Sequence, residues 1–153
     1  MLSIGYGFDA HVLEEGGEGL VIGGVVVSRE WSPKSHSDGD ALVHAIIDAL
    51  LGASGLGNIG ELFPENEKNR GRYSVDFLVD VGAMLHEARL EVVNLDSVVI
   101  LENVTLTPYL EEMKRRVSSS ILTSKSAISI KPKSGNGLYP GQVVAHAVCL
   151  VGK

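Results

Sequence analysis

Asp9-Ala10-His11, followed further along the chain by His44, supplies one carboxylate and two imidazoles. Such a set can hold a divalent metal and leave a fourth position free for substrate or water. A structural zinc site is normally closed by four protein ligands, and the lone Cys149 cannot supply the usual thiolates. An open site points to chemistry. Taken singly, these residues have plainer explanations: Asp9 caps a turn, His11 is a surface histidine and His44 a hydrogen-bonded core histidine. Asp38 and Asp40 would then only begin a helix, where acidic residues suit the first turn. Together those explanations need several coincidences, so the metal reading is preferred.

The local pattern explains how the three residues meet. Ile4 to His11 reads as a short strand entering a glycine-rich turn, and in extended geometry Asp9 and His11 project to the same side. From about Gly39 to Leu51 the pattern becomes helical. Its polar positions Asp40, His44 and Asp48 recur every fourth residue among aliphatic neighbours. This predicts a buried helix with one narrow polar seam. Burying such a seam is costly without partners, and a metal with its supporting shell is a suitable one.

Length and composition set the outer bounds. A chain of 153 residues, 44% hydrophobic and 21% charged, is expected to form a single domain, 1–153, with a real core. The net charge of -6 argues against a general nucleic-acid binder but leaves a local phosphate pocket open. The start of the chain lacks the basic and apolar run of a secretory signal, and no stretch approaches a membrane span. One cysteine excludes an internal disulfide framework, in keeping with a reducing cytoplasm, and Cys149 reads as packed rather than reactive.

The remaining elements alternate without repeats. Leu20–Val27 is expected to be a strand pairing with the first as a hairpin, and 52–69 a loop-rich connector. Ser74–Leu90 is an amphipathic helix with Val75, Leu78, Val79, Gly82, Leu85 and Ala88 inward. Leu95–Leu101 is a strand, and Pro108–Leu122 a helix opened by Thr107 as cap. Ala127–Lys131 and Gln142–Val151 close the chain as strands. This order implies an α+β fold, a mixed sheet with helices covering one face.

The segments Ile4-Gly5-Tyr6-Gly7-Phe8-Asp9-Ala10-His11, Ile22-Gly23-Gly24-Val25 and His36-Ser37-Asp38-Gly39-Asp40 through His44 resemble the 2-C-methyl-D-erythritol 2,4-cyclodiphosphate synthase family. The resemblance continues through Asp48-Ala49-Leu50-Leu51-Gly52-Ala53 and from Leu56 to Pro64, and is thinner beyond. It implies a homotrimer with active sites between subunits, acting in non-mevalonate isoprenoid precursor synthesis. The reaction implied is cyclisation of 4-diphosphocytidyl-2-C-methyl-D-erythritol 2-phosphate with release of CMP. One Zn2+ per subunit would be held by Asp9, His11 and His44, for Lewis-acid and template catalysis. His36 and Ser37 would contact substrate phosphates. Asp48, Asn58, Ile59, Gly60, Phe63 and Glu65 would hold the methylerythritol portion.

The departures from the family pattern are specific. Asn58 replaces an aspartate, and Glu65 replaces an aspartate after Phe-Pro. The cytidine-binding Ala-Pro-Lys is Asn103-Val104-Thr105, without the lysine. The late threonine run and glutamate give way to Lys131-Pro132-Lys133-Ser134-Gly135-Asn136, which makes Val104, Thr105, Lys133, Ser134 and Asn136 the nucleotide-side candidates. Asn136 is a poor stand-in for a carboxylate that holds Mg2+ or Mn2+ with the substrate. Lys133 could neutralise phosphate charge instead, as a point charge, or be simply solvated. Gln142 and His146 stand near the arginine and glutamate positions of the family's closing segment, so the resemblance does not carry over an isoprenoid diphosphate on the trimer axis.

Two other readings stand beside an active synthase. One is a metal-binding trimeric relative without cyclase activity, with a regulatory, scaffolding or different phosphate-ligand role. The other is a non-haem iron oxygenase, whose facial triad uses the same donor types. Its usual order is His-x-Asp then His, on a barrel, whereas here Asp-x-His precedes a helical His44. The chain is expected in bacterial cytoplasm, or as a processed plastid protein, with no nucleic-acid or membrane partner.

Overall fold

The computed structural model describes residues 1–153. Seven strands and four α-helices follow in the order β1 (Leu2–Glu15), β2 (Leu20–Ile22), β3 (Val25–Ser28), β4 (Trp31–Pro33), α1 (Ala41–Ser54), α2 (Ile59–Leu62), α3 (Ser74–Glu87), β5 (Glu91–Leu101), α4 (Leu110–Ser120), β6 (Ile128–Lys133) and β7 (Gln142–Gly152). The main sheet runs β4-β1-β7-β5-β6. Only β5 and β6 are parallel, joined by the α4 crossover; the other pairs are antiparallel. The result is the expected α+β fold, a mixed sheet with helices on one face.

The approach of α1 to β1 is decided by two glycines. A Cβ on Gly5 would lie 1.9 Å from the Ala49 carbonyl oxygen, and one on Gly7 would lie 1.8 Å from that of Ala45. Helix backbone therefore rests directly on strand backbone. Because strand side chains alternate, Asp9 and His11 follow Gly5 and Gly7 on this covered side, beneath the first turn of α1. The helix then buries Leu42, Ile46, Ile47, Leu50 and Leu51 completely. Each such side chain contributes up to about 1.5–3 kcal/mol.

The start of α1 is fixed by Asp40, which is fully buried. Its carboxylate accepts from Val43 N at 3.1 Å, as an N-cap should, and from Gly23 N at 2.9 Å and Gly24 N at 2.7 Å. Burial and the nearby Asp38 charge push its pKa up to about 6, against the pull of those three amides. One carboxylate thereby ties the Gly23-Gly24 turn to the helix.

Several expectations are corrected. Leu20–Val27 does not pair with β1: the positive φ of Gly23 (60°) and Gly24 (75°) folds it on itself as the separate β2–β3 hairpin, while β4 takes the edge beside β1. Helix α3 buries Phe77 and Val81 and leaves Val79 exposed, because its inward face is rotated from the one inferred. Thr107 does not cap α4; it opens a 3-10 turn over Thr107–Tyr109, and α4 begins only at Leu110 without a side-chain cap.

The opposite face of the sheet has no helical cover. It presents Leu2, Ile4, Tyr6, Phe8 and Val12 from β1 as exposed apolar side chains. Beside them on β7, His146 accepts or donates through Nδ1 to the Tyr6 hydroxyl at 2.8 Å and meets the Phe8 ring edge-on at 5.1 Å. Cys149 lies on the covered side, and burial raises its thiol pKa to about 11, so it is packing material.

Candidate metal centre

Asp9, His11 and His44 converge as their spacing suggested. One ligand atom from each lies within 4.8 Å of the other two. Asp9 Oδ2 stands 2.8 Å from His11 Nε2 and 3.1 Å from His44 Nδ1. The side chains of the two histidines are only 15% and 16% exposed, so neither is a free surface imidazole. One hard oxygen and two borderline nitrogens, without sulfur, suit a divalent transition metal or zinc. These residues fit such an ion.

The electrostatics agree with the donor set. Burial opposes the charged Asp9 carboxylate, yet hydrogen bonds and charge from His11 and His44 hold its pKa at about 2. Burial likewise opposes a charged His44, but the Asp9 hydrogen bond and the charges of Asp9, Asp40 and Asp38 raise its pKa above 6.5. A proton and a metal compete for the same imidazole. Asp9 stays ionised throughout the relevant range, and the raised His44 pKa makes its proton a competitor of the cation. Affinity for a divalent cation is therefore expected to fall by at least about tenfold per pH unit once pH drops below the raised His44 pKa. A fluorescent zinc-indicator titration run downward in pH checks this. Release beginning only well below the ordinary histidine range would contradict it.

His11 and His44 open onto a cleft of ≈ 1150 Å³. His36, Ser37, Ile59, Gly60, Phe63 and Glu65 line it. Asp48 and Asn58 are not among its lining residues. Asp48 Oδ1 accepts from Ile59 N at 2.9 Å, and Asn58 caps α2 by accepting from Glu61 N at 3.1 Å. Both hold the loop that carries Ile59, Gly60 and Phe63. Sequence reasoning missed the far wall, formed by Arg72, Tyr73 and Phe77. Phe63 stacks on Phe77 at 4.5 Å, and the Arg72 guanidinium sits 4.5 Å above that ring while pairing with Asp80 at 2.7 Å. Nothing in the local pattern around residue 72 announces this.

The nucleotide-side candidates lie elsewhere on the chain. Val104 and Thr105 follow β5, while Lys133 ends β6 and Ser134 and Asn136 follow it. Register links His11 to Val143 and Val143 to Leu101, with Ile100 beside Lys133. These loops thus share the metal end of the sheet but sit two strands away after β5 and three after β6, roughly 10 and 14 Å. Asn136 takes a left-handed conformation (φ 53°), and its Oδ1 accepts from Ser134 Oγ at 3.3 Å. Lys133 is exposed.

The chain matches the model of the YgbB family over residues 2–152. The chain belongs to that family. A 2-C-methyl-D-erythritol 2,4-cyclodiphosphate synthase of Kosmotoga olearia is 48% identical over 153 residues, covering 100% of this chain and 98% of the relative. One from Thermotoga maritima is 43% identical over 152 residues, covering 97% and 90%. A solved structure of a 2C-methyl-D-erythritol-2,4-cyclodiphosphate synthase superposes with a TM-score of 0.90 at 35% identity, over 97% of this chain and 99% of that one. A CDP-bound form superposes equally well, with a TM-score of 0.90. YgbB membership therefore spans both halves of the chain, including the segments after Pro64 where the motif resemblance was thin.

Proposed function

We propose that this protein cyclises 4-diphosphocytidyl-2-C-methyl-D-erythritol 2-phosphate to 2-C-methyl-D-erythritol 2,4-cyclodiphosphate with release of CMP, in isoprenoid precursor synthesis. The observation that carries the proposal is the Asp9–His11–His44 cluster opening onto the cleft. Supporting it are relatives of that name aligned along the whole chain. In the reaction, an oxygen of the 2-phosphate bonds to the β-phosphorus of the diphosphate. The bond from that phosphorus to the bridging oxygen breaks, and the oxygen leaves on CMP.

The cofactor proposed is Zn2+, held by Asp9, His11 and His44, where it would supply Lewis-acid and template chemistry to the phosphate being attacked. The chain's own groups do the positioning. His36 and Ser37 stand at the cleft beside the donors, suited to phosphate oxygens. Ile59, Gly60 and Phe63, braced by Asp48 and Asn58, offer a mixed apolar and backbone wall for the methylerythritol carbons. Glu65 lies on the same rim.

The nucleotide arm is proposed to come from a neighbouring subunit. Val104, Thr105, Lys133, Ser134 and Asn136 are too far from the donors of their own chain to share one diphosphate with them. A homotrimer built on the uncovered apolar face of β1 and β7 would close that gap and bury the exposed Ile4, Tyr6 and Phe8. A second cation, Mg2+ or Mn2+, would find no carboxylate at Asn136, so Lys133 is the nearer source of positive charge there. We read 1–153 as one domain and its site of action as the cytoplasm; no helix is long and apolar enough to cross a membrane.

The deciding experiment is a turnover assay of zinc-loaded protein with the cytidine diphosphate-linked substrate and magnesium, followed by phosphorus NMR. Cyclic diphosphate and CMP are expected above a His44→Ala control. No product from folded, zinc-containing protein would overturn the proposal.

A further inference from the structure

His44 has a second neighbour that metal binding alone does not explain. Its Nε2 lies 2.6 Å from the hydroxyl of Ser74, the first residue of α3, which is wholly buried. That hydroxyl is itself committed, because it donates to Asp38 Oδ1. The backbone N–H of Ser74 donates to the other Asp38 oxygen at 2.9 Å. A hydroxyl has one hydrogen, and an ionised carboxylate can only accept. With the Ser74 hydrogen turned to Asp38, its oxygen must accept from His44. Nε2 of the His44 ring therefore keeps a proton, and when Nδ1 gives up the proton that bonds Asp9 to an incoming cation its lone pair faces Asp9 and His11.

We infer that Asp38 and Ser74 are positioning residues which fix the His44 tautomer and ring orientation, so that Nδ1 is held ready for a metal. The inference rests on reading Asp9, His11 and His44 as ligands. Without the brace, the Asp9 carboxylate 3.1 Å away would draw the proton onto Nδ1, the atom the cation needs. Partners of this kind beyond the ligands commonly decide both ring orientation and basicity. Asp38 has a second role through the same group. Tyr73 precedes α3 without a side-chain cap, and the Asp38 carboxylate supplies the missing acceptor at that helix start. Asp38 is also the near neighbour of His36 and Ser37, so the cleft loop, the start of α3 and the metal ligand are joined through one carboxylate.

The test uses the full chain, zinc-loaded and labelled with nitrogen-15 at histidine. A His44 Nε2–H resonance protected from exchange with water is expected in the wild type. Ser74→Ala should lose that protection and weaken zinc binding by about 10–100-fold in chelator competition. Asp38→Ala should weaken zinc less, because the freed Ser74 hydroxyl still accepts from Nε2. A residue needed only for packing would lower Tm and leave the protected resonance in place; that outcome overturns the inference. So does zinc affinity within about twofold of wild type in folded Ser74→Ala. Should Ser74→Ala fail to fold, Asp38→Ala decides by zinc affinity, a value within about twofold of wild type counting against the brace. Equal zinc binding by wild type and His11→Ala would instead show that the ligand reading itself fails.

Discussion

His44→Ala is expected to lower zinc affinity by more than about 100-fold, beyond the usual cost of losing an outer partner of a ligand. The change removes one of three donors and also releases Asp9, whose pKa of about 2 depends in part on the His44 hydrogen bond. The Asp9 carboxyl should therefore titrate higher in the variant. Turnover should fall with metal content. Elemental analysis after dialysis against a weak chelator reads the first effect, and carbon-13 titration of the carboxyl reads the second. Unchanged metal would remove His44 from the ligand set, whatever happened to the rate.

Gly7→Ala should have a comparably large effect through a residue that touches no donor. The added Cβ would stand 1.8 Å from the Ala45 oxygen and 2.8 Å from Ala49 N, both backbone atoms that no rotamer change can move. Overpacking of this kind costs about 3 kcal/mol or more, and at this chain length that lowers Tm by about 6–12 °C. Lifting α1 from β1 also carries His44 away from Asp9, so zinc affinity should fall with stability. Gly52→Ala provides the contrast: its Cβ meets nothing within 4 Å on an exposed helix surface, and it should gain about 1 kcal/mol from helix propensity. Thermal melts of the two variants with and without zinc check both. A Gly7→Ala protein with ordinary Tm and zinc affinity would mean that helix and strand are not in backbone contact.

The parts of this site that follow from short-range periodicity are legible in the amino-acid sequence itself. Asp9 and His11 share a face because strand residues alternate, and His44 shares a seam with Asp40 because helical residues four apart align. The mixed sheet with one helical face follows from the order of elements. What escapes depends on contacts between distant segments. Leu20–Val27 has strand composition, but only the Gly23-Gly24 turn tells that its halves pair with each other. In α3 several apolar positions compete to face inward, and packing against the rest of the core, not periodicity, buries Phe77 in place of Val79. Ser74 and Asp38 are 36 residues apart, and neither carries a local mark of its link to His44. The roles of Asp48 and Asn58 as braces for the cleft loop rather than parts of its lining are hidden for the same reason.

Strand β1 is read on two sides at once. Gly5, Gly7, Asp9 and His11 serve the helix and the metal centre, whereas Ile4, Tyr6 and Phe8 form the apolar outer surface. An insertion or deletion of one residue before Gly5 would leave the spacing from Gly5 to His11 unchanged. The same change between Gly7 and Asp9 would exchange the two sides for everything beyond it. The donors would emerge among hydrophobic neighbours and Phe8 or Ala10 would press on α1. Among viable descendants of this chain, length variation is thus expected in the 16–19 turn and around residues 64–72, and the spacing from Gly5 to His11 should stay frozen even where the residues between are exchanged.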